Sequence, residues 1–282
     1  MRFETAIERP SISLEPKSGA DISFDDVSSL WYRRVRTAEA PDDMSPGIYD
    51  FCVREAHDAL LGMLLSLPVR VMSAPDGIWA AEHKTFQLAN AKSLGLPIPE
   101  TIITNNPAEV SRAFIRFQRQ MIAKPVKAGL IATDGEQRAI YTSAVLEEHL
   151  NDLDSARWSP TIYQPLIPKA CDVRVTIVGD TFFVAEIDSQ QDPAARVDWR
   201  RTNNPKLPHR RGSLPSKLTE QLRSLMTTLK LAFGCVDLIR TPTGEYFFLE
   251  VNPNGQWLWL DEILGFGISE AIADWLIEPS RE

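Results

Sequence analysis

The sequence predicts an α+β protein in which helices and strands alternate irregularly. Apolar residues recur at helical spacing near 48–67, 107–117 and 218–232, and strand-like segments dominate from residue 120 onward. No internal repeat or low-complexity linker divides the chain.

Residues 1–30 alternate weakly and carry Pro10, Pro16 and Gly19, a pattern of short strands and turns. Cys52, Ala56, Leu60, Met63 and Leu67 then give one apolar face to a helix over 48–67 that ends near Pro68. A second helix is expected over 81–94, stopped by Gly95 and Pro97. A third starts with Asn106 as cap, Pro107 in its first turn and Glu109 in capping-box position; Val110, Ala113, Phe114 and Phe117 form its stripe. The strands that follow are MIAKPV, TIYQPLI, DVRVTIV and TFFVAEI, the last two joined by Gly179-Asp180, a pair suited to a tight hairpin. Leu218, Leu222, Leu225, Leu229 and Ala232 mark an amphipathic helix closed by Gly234. Two more strands, CVDLIR and YFFLEV, flank Thr243-Gly244, and polar stretches near 97–107 and 189–213 read as joints.

With 282 residues, 44% hydrophobic and 24% charged, the chain has the make-up of a soluble globular protein of one or two domains. No run approaches the roughly 20 apolar residues of a membrane span. The opening MRFETAIERP lacks the features of a secretory signal, so a cytoplasmic location is expected. Cys52, Cys171 and Cys235 are too scattered for a disulfide framework or metal cluster and are expected as buried small apolar residues. The net charge of −8 argues against a nucleic-acid partner. The local exception is the run Arg196, Arg200, Arg201, Lys206, Arg210 and Arg211, which suits either a phosphate or a solvated surface.

The sharpest chemical pattern is in the last hairpin. A two-residue turn at Thr243-Gly244 makes Asp237 the cross-strand partner of Glu250 and puts Asn252 on the same face. Like charges directly opposite destabilise a sheet by up to about 1 kcal/mol, which invites a cation between them. Two carboxylates and an amide suit Mg²⁺ held together with nucleotide phosphates; the competing reading is two independent surface acids. On DVRVTIV, Asp172, Arg174 and Thr176 share one face, and Arg174 presents a fork suited to carboxylate or phosphate, although a half-exposed strand with such residues is also ordinary. Lys124 sits among apolar neighbours in IAKPV and needs an anion, because an unpaired buried ammonium is costly. Lys84, on the helix over 81–94, is less marked and reads first as a solvated surface lysine. The stretch 127–136, with Gly129 and Gly135, has the composition of a phosphate-covering loop but matches no Walker loop. His57, His83, His149 and His209 have no metal-like spacing.

Together these residues resemble an ATP-grasp enzyme of the RimK-like branch. AKP at 123–125, QPLIP at 164–168, DVRVTIVGD at 172–180, GCVDLI at 234–239 and LEVNPNGQW at 249–257 occur in that family's order and spacing. EVNPNGQWLWL is similar to the C-terminal signature of graspetide synthetases, the maturases of microviridin-like peptides, and LWYRR at 30–34, LPIPETIITN at 96–105 and DWRR at 198–201 resemble the same family. The likeness runs from about residue 25 to residue 275.

The resemblance implies an ATP-grasp fold with a shortened N-terminal pre-ATP-grasp α/β domain (1–80), a central subdomain (81–160) and a C-terminal subdomain (161–282). It implies ATP and Mg²⁺, with Lys84 and Lys124 on the nucleotide, Gln164, Pro165, Leu166 and Ile167 as the adenine-reading hinge, and Asp172 as a further nucleotide contact. Arg174 and Arg200 match cations beside the γ-phosphate and acceptor carboxylate, and Asp237, Glu250 and Asn252 match metal ligands. Glu186, Asp188 and Asp192 fall in the region that resembles the leader-peptide site. Relatives usually begin with an additional strand and helix. Either the domain is naturally abbreviated, with a partner or dimer covering an open edge, or the start of this chain lies downstream of the natural one; the open edge predicts a homodimer with the N-terminal domain near its interface.

The implied reaction phosphorylates an Asp or Glu side chain of a ribosomal precursor peptide and closes an intramolecular ester or amide cross-link. The alternatives are a RimK-like ligase that adds a free amino acid to a carboxylate, and a peptide-binding module without catalysis. Neither nucleic acid nor membrane is an expected partner.

Overall fold

The strongest strand pattern in the sequence builds the larger of two sheets that face one another across a cleft. The computed structural model describes residues 2–4, 11–14, 22–23, 26–35, 41–127, 129–133, 136–202, 204 and 206–278. The turns expected at Pro10, Pro16 and Gly19, and Gly135 of the stretch 127–136, lie outside them. Among the described residues no helix is long and apolar enough to cross a membrane.

The larger sheet is antiparallel throughout, in the order His209–Arg211, Thr181–Ile187, Cys171–Val178, Phe233–Arg240, Tyr246–Asn252. Alternation along its strands separates two faces. Val173, Val175, Ile177, Val236 and Leu238 are buried beneath the helices Pro75–Ala81, Lys84–Ser93 and Ser216–Thr228, with Leu218, Leu222 and Leu225 closing the core. The opposite face carries Asp172, Arg174, Thr176, Cys235 and Asp237. The smaller sheet orders Ser143–Val145, Met121–Pro125, Thr161–Pro165 and Ile102–Thr104. Met121, Ala123 and Tyr163 pack beneath the helix Pro107–Arg116, which turns Ile122, Lys124 and Gln164 to the other side.

Several expectations need correction. The helix expected over 81–94 is Lys84–Ser93, stopped by Gly95 at φ +74° as expected; a separate helix, Pro75–Ala81, precedes it, and the break at Glu82 and His83 makes Lys84 the first residue of the later one. The long helix ends at Thr228, and Lys230, at φ +55°, makes the left-handed turn expected of Gly234. Gly234 instead lies inside a strand, where an added Cβ would come within 2.9 Å of both Met226 and Val251. Asn106 caps its helix by accepting from the Ala108 N–H at 3.0 Å, but its own N–H donates to Thr104 Oγ1, so Glu109 is free to pair with Arg112. The helix Pro46–Ser66 buries only Met63 and Leu64, and its Cys52 is exposed; Cys171 and Cys235 are buried as expected.

The last hairpin departs from its expected turn yet keeps its key pair. Arg240 pairs with Tyr246, so the loop is Thr241–Glu245, held by Thr241 N–H to the Glu245 carbonyl at 2.8 Å and by Gly244 at φ +86°. That loop alone would put Asp237 opposite Leu249. A bulge between Asp237 and Leu238 absorbs Leu249, and Asp237 meets Glu250.

Candidate active site

The two sheets enclose a cavity of about 300 Å³. Lys84, Lys124, Gln164, Pro165, Leu166, Ile167, Asp172, Arg200, Asp237, Glu250 and Asn252, all singled out from the sequence, line it.

Its charged end is built by cross-strand register. Asp237 faces Arg174 on one side and Glu250 on the other. Arg174 Nη1 donates to both Asp237 oxygens at 2.9 Å, and Arg174 is buried behind Asp237. Burial alone would depress the Arg174 pKa, but Asp237 outweighs it and the guanidinium is held charged. Burial raises the Asp237 carboxyl pKa in spite of Arg174.

Glu250 has its own cation. Lys84 Nζ lies 2.9 Å from Glu250 Oε2 and donates to the Pro125 carbonyl at 3.3 Å. Burial opposes the Glu250 charge, but Lys84 and then Lys124 overcome it and hold its pKa below the usual carboxylate range. Lys124 is 8% exposed and, among the described residues, has no carboxylate within ion-pair distance. Burial therefore lowers its pKa to about 8, against the pull of Glu250.

Other expected cations and acids are already engaged. Arg200 forks onto Asp198, Nε to Oδ1 at 2.9 Å and Nη2 to Oδ2 at 2.7 Å, and this pairing raises its pKa. Asp172 is paired with Lys169, Nζ to Oδ1 at 2.8 Å, yet burial still raises its pKa. Glu186 and Asp188, expected to be open to a leader arginine, lie away from the cavity and are taken by Arg210, at 2.7 and 2.5 Å; Arg240 also reaches Glu186, at 2.9 Å. Asp192 accepts from the Ala194 N–H at 2.9 Å and from Thr202 Oγ1.

Three residues were not singled out for roles. Lys169 and Asp198 fix Asp172 and Arg200. Their signal lay in sequence proximity, with Lys169 three positions before Asp172 and Asp198 two before Arg200. Gln87 is 2% exposed, and its amide donates to the Val251 carbonyl and accepts from the Val251 N–H, both at 2.8 Å. This clamp ties the Lys84 helix to the Glu250 strand, a contact between distant segments that periodicity cannot reveal.

The motifs at the two ends of the chain meet on the Cys235 face of the larger sheet, next to the charged end of the cavity. Trp31 packs on Phe233 and Trp257 with ring centroids 5.3 Å from each. Gly255 passes so near Cys235 that an added Cβ would lie 2.4 Å from its Cβ and Sγ.

The donors at the charged end are of the oxygen type a magnesium ion takes, Asp237 and Glu250 as carboxylates beside each other and Asn252 on the same strand as Glu250. Each already has a partner: Asp237 accepts from Arg174, Glu250 from Lys84, and Asn252 Oδ1 from the Asn254 N–H at 2.9 Å.

Two antiparallel sheets closing on a lysine-bearing cleft, with paired acids on the last hairpin, define an ATP-grasp ligase. The family model described as MvdD pre-ATP grasp domain matches residues 4–76. Macrocyclase MdnC from Microcystis aeruginosa MRC, solved bound with precursor peptide MdnA, is 32% identical with a TM-score of 0.85; the match covers 98% of this chain and 86% of that one. Macrocyclase MdnB from the same source is 32% identical, with a TM-score of 0.79 over 98% and 85%. A Chryseobacterium gregarium RiPP-associated ATP-grasp ligase, solved with ADP and a leader and core peptide, is 29% identical, with a TM-score of 0.89 over 98% and 83%. No curated protein matches the chain. The chain belongs to the graspetide synthetases, the ATP-grasp ligases that macrocyclise ribosomal peptides.

Proposed function

We propose that this ligase uses ATP and Mg²⁺ to activate Asp or Glu side chains of a ribosomal precursor peptide and joins each to a second side chain. The observation that carries the reading is the Asp237–Glu250 pair lining the same cavity as Lys84 and Lys124. The acceptor carboxylate attacks the γ-phosphorus and ADP leaves; a hydroxyl or amine of the peptide then attacks the acyl carbon and phosphate leaves. The net change to the peptide is the loss of one water per cross-link.

A carboxylate is a poor electrophile, so the protein's task is to position anions and offset their charge. Lys124 brings a desolvated ammonium with no close carboxylate of its own, a ready partner for phosphate oxygens. Lys84, now on Glu250, is free to exchange to phosphate once Glu250 takes a metal ligand's role. Asp237, Glu250 and Asn252 would hold the magnesium, which when bound neutralises phosphate charge. Arg200, fixed by Asp198, adds positive charge to the cavity wall. Gln164, Pro165, Leu166 and Ile167 form the wall suited to the nucleotide base, with Gln164 Nε2 tied to Thr101 Oγ1 at 2.8 Å.

A division at about residues 80 and 160 and a cytoplasmic location belong to the same reading. Leader binding at Glu186 and Asp188 would exchange Arg210 for an arginine of the leader. Dimerisation rests on the sequence argument alone, and a monomer by light scattering at micromolar concentration ends it. The function itself is tested by incubating the protein with ATP, Mg²⁺ and the precursor encoded beside it. Loss of one water per cross-link is expected. A mass gain equal to an amino acid, or tight peptide binding without covalent change, removes the reading.

A further inference from the structure

Arg174 and Arg200, the arginines expected to meet the acceptor carboxylate, each hold an aspartate of the protein itself. Two other arginines do not. Arg33 and Arg34 lie over the loop that follows Asn252, the last residue of the Glu250 strand and part of the cavity wall. Arg33 Nη2 donates to the Gly255 carbonyl at 3.3 Å, while its guanidinium stacks 4.5 Å from the Trp257 ring centre and 5.3 Å from that of Trp31. Its Nε is buried with no hydrogen-bond partner. Arg34 Nε donates to the Asn254 carbonyl at 3.4 Å, and the Gln256 side-chain oxygen, oriented by its partners, accepts from Arg34 Nη1 at 3.1 Å.

Every one of these acceptors is neutral. Among the described residues no carboxylate pairs with Arg33 or Arg34, although the chain carries more acids than bases. Burial, and then the adjacent Arg34 charge, lower the Arg33 pKa from its ordinary value. Arg34 itself sits at φ +49°, a conformation that side-chain-bearing residues rarely adopt and that functional sites tolerate. Arg174 Nη2 reaches the Gln256 carbonyl of the same loop at 3.4 Å. Three guanidinium groups therefore converge on one short loop at the charged end of the cleft, and among the described residues Asp237 is the one carboxylate that pairs with them.

Adjacent forks with only carbonyl partners suit a carboxylate, which can accept from both. We propose that Arg33 and Arg34 receive the acceptor carboxylate of the peptide and position it for phosphorylation. This deepens the ligase reading and rests on it. A nucleotide phosphate shares the required charge, so the test separates the two anions.

Arg34→Gln and Arg34→Lys are compared with the wild type in cross-linking of the precursor at saturating ATP, while calorimetry measures binding of ATP with Mg²⁺ and of the leader peptide alone. Arg34 is exposed, and thermal melting checks that the variants remain folded. The proposal expects Arg34→Gln to lower kcat/KM for the precursor by about tenfold or more, Arg34→Lys to recover part of it, and both affinities to stay within about twofold. Arg33→Lys, which keeps a charge over the tryptophans but loses the fork, is expected to follow Arg34→Gln. Wild-type kinetics in Arg34→Gln overturns the proposal. A fall in ATP affinity assigns the pair to phosphate, and a fall in leader affinity assigns it to the leader; either overturns it too. Absence of cross-links with the wild-type enzyme removes the ligase reading and the acceptor assignment with it.

Discussion

Lys84 Nζ lies 2.9 Å from Glu250 Oε2, and the two are held in register by Gln87, whose amide bonds both backbone groups of Val251. A helix start and a strand end are thereby fixed as one unit. Glu250→Gln keeps the shape and removes the charge. ATP turnover is expected to be abolished while the thermal transition stays within a few degrees of wild type. Full turnover in that variant would remove Glu250 from the metal assignment.

Gln87→Leu tests the clamp. It leaves the Val251 N–H and carbonyl buried without their partner, at about 1–3 kcal/mol for each orphaned group. Denaturant unfolding should show a loss of about 2–4 kcal/mol, accompanied by a higher KM for ATP because Lys84 and Glu250 lose their common mount. An unchanged midpoint would mean the amide is dispensable.

Lys124 is expected to make nucleotide binding pH-dependent. Burial puts its pKa at about 8 against an ordinary 10.5, so the folded protein sheds this proton before the unfolded chain does. Its contribution to stability is therefore least favourable below pH 8 and improves as pH rises toward 10.5. A phosphate bound at Lys124 would reverse the shift. At pH 8, nucleotide binding should take up about half a proton, by calorimetry in buffers of different ionisation enthalpy. Lys124→Met should lose that uptake, and an unchanged value would assign the proton elsewhere.

Gly255 has no room for a side chain. An added Cβ would overlap Cys235 and lie 2.9 Å from Arg174 Nη2. Gly255→Ala should cost at least about 1–3 kcal/mol, as overpacking of a rigid site does, and should impair turnover by displacing the loop under Arg33 and Arg34. Wild-type stability and turnover together would show that the loop yields freely.

The Asp237–Glu250 pair was legible in the sequence, but by two departures that cancel. The loop Thr241–Glu245 shifts the register by one residue and the bulge at Leu249 shifts it back. Alternation along DVRVTIV correctly put Asp172 and Arg174 on one chemical face. What alternation cannot supply is the partner of each charge. Arg174 meets Asp237 across strands whose pairing is non-local, and Glu186 is neutralised by Arg210 from the adjacent strand and by Arg240 from two strands away. The break at Glu82 and His83 was equally hidden, because no proline or glycine marks it.

The central claim is that a peptide carboxylate is activated as an acyl phosphate, and oxygen tracing tests it most directly. A precursor carrying ¹⁸O in its acceptor carboxylates is cross-linked with unlabelled ATP, and the inorganic phosphate is analysed by mass spectrometry. The account predicts one ¹⁸O transferred to phosphate for each cross-link formed. Cross-linked product with unlabelled phosphate would contradict it.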